Sequence, residues 1–203
     1  MLKHQNKSVI LNIIALIIFQ ILLYFFAKIT PFDYHIVNID FDSYIPFISL
    51  FVYPYVIWYI TLFLFPYLFS KYDIKFYKIY IRTIVIALSM AFIIYVFFPT
   101  TIIRDQIISK DIATFIINLI YKIDTPAINC LPSAHCIISF THIYIALFIK
   151  NMPKKIKIII IIQSILVIFS TLFIKQHVIL DVISAFILSL IIYLINFFML
   201  KRI

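Results

Sequence analysis

Six long apolar runs decide what this chain can fold into. They extend from about Val9 to Ala27, Phe47 to Phe69, Ile79 to Phe98, Pro132 to Phe148, Ile156 to Ile174 and His177 to Leu200. Helices of about 20 residues rise about 30 Å, the thickness of a bilayer's hydrocarbon core. In lipid each backbone N–H and C=O must be satisfied within its own segment, so every run is predicted to be a helix. The chain is 65% hydrophobic and 12% charged, with a mean hydropathy of +1.14, which a soluble domain does not tolerate. The expected fold class is all-α, a polytopic six-helix transmembrane bundle. With no long polar linker, residues 1–203 are read as one domain. The basic start, Met1 to Lys7, resembles the front of a signal peptide, but no small-residue cleavage site follows, so the first run is kept as a span.

The connections carry their own signals. The loop from Lys28 to about Pro46 holds Asp33, Asp40 and Asp42 among aromatic residues and is expected at the membrane interface. Pro54 and Pro66 are expected to bound or kink the second helix. Between the third and fourth spans, Ile112 to Ile123 is apolar but too short to cross, and is expected as an interfacial helix lying on the membrane surface or on the site. Asn12, Gln20, Gln163 and Asn196 fall inside the runs and are read as hydrogen bonds between helices.

A net charge of +9 would point to nucleic acid in a soluble protein; here the lysines and arginines stand between apolar runs and orient them, so no nucleic-acid partner is expected. With the N-terminus inside, twelve basic residues fall on the cytoplasmic side and five, Lys28, Arg104, Lys110, Lys122 and Lys175, on the other. The expected placement is a multi-pass protein of the cell (inner) membrane with both termini cytoplasmic.

Two clusters then share the extracytoplasmic side with Arg104. Asn129 to Cys136 sets Pro132, Ser133 and His135 at the front of the fourth run, where a helix start favours an anion. Lys175 to Asp181 sets His177 and Asp181 four residues apart at the front of the sixth. One helical turn lets the carboxylate accept from one ring nitrogen and aims the other at a substrate, the arrangement of an activated base or nucleophile. His142, seven residues beyond His135, is expected to be a hydrogen-bonded interior histidine, and Cys130 and Cys136 free thiols. His135, His177 and Asp181 have no further His or Glu nearby, so no metal site is expected.

At these residues the chain resembles the type-2 phosphatidic acid phosphatase superfamily, and most closely its inositol-phosphorylceramide and sphingomyelin synthase-like branch. Pro132-Ser133-Ala134-His135 is similar to the family's Pro-Ser-Gly-His motif, with Ala134 in the glycine position. Ser170 and Thr171, followed by His177 and Asp181, match the spacing of its Ser-Arg-x5-His-x3-Asp motif, with Thr171 in the arginine position. The family's Lys-x6-Arg-Pro motif is absent as such, and Pro99-Thr100 followed by Arg104 resembles its counterpart in the synthase-like branch. The resemblance implies that His177 attacks phosphorus, His135 protonates the leaving oxygen and Asp181 holds His177 in the attacking tautomer. Arg104 and Ser133 would bind the substrate phosphate, with Lys175 supplying the cation that Thr171 does not. It further implies a membrane lipid phosphatase that hydrolyses a lipid phosphate or diphosphate through a phosphohistidine, without cofactor or metal. Two alternatives stand beside it: a head-group phosphotransferase using the same triad on a phospholipid, and a non-catalytic transporter or binding protein. The transporter is disfavoured because the ionisable cluster lies at helix ends, away from the bilayer midplane.

Overall fold

A computed structural model describes residues 2–29 and 32–201. Among these are seven α-helices: α1 (Leu2–Ala27), α2 (Val52–Tyr72), α3 (Ile74–Phe97), α4 (Ile112–Ile123), α5 (Ala134–Phe148), α6 (Lys154–Phe173) and α7 (Ile179–Lys201). Five stretches are helical, long and apolar enough to cross a membrane: Lys7–Ala27, Ser49–Tyr72, Ile74–Phe97, Lys154–Phe173 and Ile179–Met199. The sequence predicts six. The difference is α5, whose 15 residues rise only about 22 Å. Its start is set by Ser133, the N-cap: the Ser133 Oγ accepts from Cys136 N at 3.3 Å, so Pro132 stays outside the helix.

The shortest apolar helix is also the central one. Helix α5 packs against α3, α6 and α7 and touches α2, whereas α1 leans on α2 and α3 at the edge. Ile137, Ile138 and Ile145 of α5 are fully enclosed in the main core with Ile84 and Ala87 of α3 and Ile160 of α6. The outward faces keep large apolar side chains exposed, Ile18 and Phe25 on α1, Ile159 on α6 and Ile187 on α7 among them, as in a multi-pass membrane protein.

Local chemistry sets the breaks. Helices α2 and α3 are separated by Asp73 alone, whose carboxylate caps α3 through Lys75 N (2.9 Å) and Phe76 N (3.2 Å); α3 therefore begins before the expected Ile79. Pro54 lies in the first turn of α2, where its missing N–H breaks no bond, and Pro66 lies within the helix. Of the polar residues predicted to join helices, Gln163 donates to Pro54 O (3.1 Å), Asn196 to Thr83 Oγ1 (3.3 Å), and Asn12 meets the Tyr77 hydroxyl. Gln20 instead lines a cavity.

Above the helices, two loops are stitched together. His35–Ile36 (β1) pairs in parallel with Thr100–Thr101 (β2), and Thr101 bridges Ile128. A 3-10 turn at Asp40–Tyr44 carries Asp42, whose two carboxylate oxygens accept from Ile39 N (2.8 Å) and from Ile179 N (2.9 Å), the first residue of α7. The loop expected only to lie at the interface thus caps the helix that carries Asp181.

Candidate active site

Helix α5 presents His135 in its first turn, because the Ser133 cap starts the helix immediately before it. The stretch carrying His177 is placed by a sharp reversal at the end of α6. Gln176 N and His177 N both donate to Thr171 O at 2.9 Å, and Lys175 adopts a left-handed φ of 53°. A left-handed turn is unfavourable for a residue with a Cβ. It is held here by the Lys175 ammonium, which donates to Asp42 O (3.0 Å) and Ile45 O (2.6 Å). Ser133 N donates to Asp181 O at 3.2 Å, which fastens the front of α5 to the front of α7.

These constraints bring the rings of His135 and His177 within 5.6 Å of each other, centroid to centroid. His177 Nδ1 lies 2.9 Å from Asp181 Oδ2, which also accepts from Val178 N at 3.1 Å. Asp181 is fully buried, so this hydrogen bond is sheltered from water, fixes the ring and leaves Nε2 as the available nitrogen. His135 is wedged against Tyr55 and Trp58, with ring centroids at 4.8 and 4.2 Å, and its Nε2 is enclosed without a hydrogen-bond partner.

Both histidines line a cavity of about 470 Å3 that runs between α1, α2 and the 128–135 segment. Its lining is mostly apolar and aromatic, with Ile21, Phe25, Tyr59 and Leu88, and carries the polar side chains of Asp124, Asn129, His135, Gln176 and His177. Among the described lining residues there is no lysine or arginine. Of the amides that open α5, Ser133 N and Cys136 N are taken by Asp181 O and Ser133 Oγ, which leaves those of Ala134 and His135 at the cavity wall.

The other predicted site residues stand apart from that wall. Arg104 donates to Asp124, with Nη1 3.3 Å from Oδ2 and Nη2 2.8 Å from the carbonyl, and stacks at 4.3 Å over Tyr121. It lines a second cavity of about 560 Å3 together with Asp105, Asn118 and Lys122. Asp124 accepts from the Tyr24 hydroxyl too (2.9 Å); burial raises its carboxyl above the usual carboxylate range, against the pull of Arg104. The Ser133 hydroxyl serves as the α5 cap and Lys175 as the tie to the 42–45 backbone. Thr171 is buried, its hydroxyl on Ile168 O (2.7 Å) and 3.6 Å from Cys136 Sγ.

His142 is the interior histidine the sequence predicts, stacked on Tyr80 with its Nε2 3.2 Å from the hydroxyl. Cys130 and Cys136 are free thiols. No group of three or more His, Cys, Asp or Glu that could hold a metal ion occurs among the described residues. Asn129 and Gln176 lie inside the two clusters read from the sequence, which assigns them no role there, whereas nothing in the sequence singles out Asp124.

Residues 99–202, just over half of the 203-residue chain, match the family model described as the PAP2 superfamily. The match contains His135, His177, Asp181 and Arg104, together with helices α4 to α7. No curated protein and no solved structure matches the chain.

Proposed function

The chain belongs to the PAP2 superfamily, and from that premise we propose that it is a phosphatase or phosphotransferase that opens a phosphate ester of a membrane lipid through a phosphohistidine on His177. The observation that carries this reading is the pair of histidines 5.6 Å apart on one cavity, with one ring fixed by a buried carboxylate. Nε2 of His177 attacks phosphorus as the bond to the leaving oxygen breaks, and His135 delivers a proton to that oxygen. The proton on Nδ1 stays hydrogen-bonded to Asp181, which stabilises the cationic ring that forms. In the second step His135 takes a proton from water, or from an alcohol acceptor, as that oxygen displaces the histidine from phosphorus. The N–H groups of Ala134 and His135 supply fixed dipoles for the charge spread over the equatorial oxygens. Arg104 stays on Asp124 at the edge of the cavity, and Ser133 and Lys175 hold the frame.

The mostly apolar lining of the cavity suits a hydrocarbon chain, which supports a lipid substrate. We place α5 as a sixth span, shortened because its front opens on a site below the headgroup layer. Helix α4 we place at the interface: Ala113 and Ile117 are buried against α2, while Ile112, Phe115, Leu119 and Ile123 form an exposed apolar stripe one or two turns apart. The distribution of lysine and arginine puts this end of the bundle outside the cell, in the cell membrane, with both termini cytoplasmic.

Rapid quenching with a lipid labelled at phosphorus tests the mechanism. The expected result is an acid-labile, base-stable adduct on His177, with vanadate competing for the same nitrogen. Full turnover by His177→Ala, or inversion at a chiral phosphorus in the overall reaction, overturns it.

A further inference from the structure

We infer that Asn129 and Gln176 are the side-chain donors that hold the phosphoryl oxygens in this site, and that a site so built takes a singly charged phosphodiester in preference to a doubly charged monoester. The inference rests on the reading of His177 as the attacking group and narrows its substrate class.

Both carboxamides line the histidine cavity, and both are buried, at 7% and 4% exposure. Neither Asn129 Nδ2 and Oδ1 nor Gln176 Nε2 has a hydrogen-bond partner within the protein. Burying an amide with no partner is unfavourable, so such groups at a cavity wall are donors awaiting an acceptor. The backbone holds both in place. Asn129 has φ 61°, a left-handed conformation that asparagine tolerates better than most residues, and the next two amides, Cys130 N and Leu131 N, both donate to Thr100 Oγ1 at 3.2 and 3.0 Å. Gln176 follows the left-handed Lys175 and is tied by its own N–H to Thr171 O. His177 lies next to Gln176 in the chain, and Asn129 precedes the turn that starts α5, so both carboxamides line the same cavity as the ring that attacks.

Charge then decides the ester. The cavity wall holds one carboxylate, Asp124, and among its described residues no cation. Arg104 is bound to Asp124, the Lys175 ammonium to two carbonyls, and Lys28 sits 4.5 Å from the centre of the Tyr24 ring. Amide donors give a phosphoryl oxygen hydrogen bonds without a countercharge. A phosphodiester carries one negative charge at neutral pH, whereas a phosphomonoester carries nearly two. The second charge gains nothing from the carboxamides and finds no unpaired cation among the described lining residues.

The test uses the purified full-length protein in neutral-lipid vesicles at pH 7.5, with a diacylglycerol phosphomonoester and its methyl phosphodiester as a matched pair. Cleavage is followed at phosphorus, and binding by the fluorescence of Trp58, the chain's single tryptophan, which lines the same cavity. The diester is expected to exceed the monoester in kcat/KM by on the order of tenfold. Asn129→Ala and Gln176→Ala are each expected to lose about 10²-fold with the diester, the usual effect of removing an oxyanion donor. Gln176→Arg, which returns a cation to the wall, is expected to move the preference towards the monoester, a change that mere damage to the fold does not produce. Alanine variants that bind and cleave the diester as the wild type does, or a wild-type preference for the monoester, overturn the inference while a labelled His177 leaves the phosphohistidine standing. His177→Ala, run beside them, separates the cases: full turnover there overturns the phosphohistidine reading itself.

Discussion

Replacing Asp181 with asparagine tests how the carboxylate acts on His177, and the geometry gives the size of the effect. Asp181 Oδ2 accepts from two donors at once, His177 Nδ1 at 2.9 Å and Val178 N at 3.1 Å. An asparagine in this place can turn its oxygen or its NH2 towards them. The Val178 N–H has to meet an acceptor, so the oxygen stays, and with it the tautomer that keeps Nε2 free to attack. What is lost is the negative charge. A hydrogen bond to a charged group contributes roughly 1.5–3 kcal/mol and a neutral one roughly 0.5–1.5. The difference, roughly 1–2 kcal/mol, corresponds to a roughly 5- to 30-fold lower rate. Asp181→Ala removes the acceptor as well, strands the Val178 amide at the front of α7 and frees the ring to rotate, so its loss is expected to approach that of His177→Ala. The assay is single-turnover cleavage by protein reconstituted at equal amounts, with thermal unfolding in detergent as the check on folding. Asparagine and alanine variants of equal activity, both well folded, would refute the reasoning that the backbone amide selects the asparagine orientation.

Four further outcomes are expected. His135→Ala loses about 10²–10⁴-fold in turnover, as for a missing general acid, while His142→Phe leaves turnover near wild type and lowers stability by roughly 0.5–1.5 kcal/mol through the lost Tyr80 bond; equal losses of activity at both would place His142 at the substrate. Lys175→Met releases the turn that carries Gln176 and His177, lowering stability by roughly 1–3 kcal/mol, read as a fall of several degrees in the unfolding midpoint. An unchanged midpoint with lost turnover would give Lys175 back to the phosphate. Asp42→Ala, which uncaps α7 at Ile179, lowers stability by roughly 0.5–2 kcal/mol, read in the same midpoint. For orientation, an impermeant thiol reagent added outside intact cells labels Lys110→Cys and spares Lys154→Cys in a background lacking Cys130 and Cys136; the reverse pattern inverts the placement of the site.

The sequence by itself determined the helices and the chemistry of the cluster. Hydropathy is a local property, and runs such as Ile156 to Ile174 or His177 to Leu200 have no other stable form in lipid than a helix. The spacing of His177 and Asp181 is local too: residues four apart meet wherever the helix is placed, and a serine before an apolar run is a helix cap before any packing is known. Tertiary structure decided who else stands there. Asp42 reaches Ile179 across 137 residues of chain, and Lys175 reaches the Asp42 carbonyl across 133. Arg104 reads in the sequence as a free cation beside the histidines; in the fold it faces Asp124 and stacks on Tyr121, because α4 folds back over the 102–107 segment. Asn129 and Gln176 stand inside the two clusters with no role legible from the sequence; in the fold, with left-handed backbone at Asn129 and Lys175, both line the cavity of the histidines. Periodicity and spacing report on neighbours within a few residues, whereas the partner of a buried polar group is fixed by which distant segments the core brings together, and a linear pattern carries no record of that.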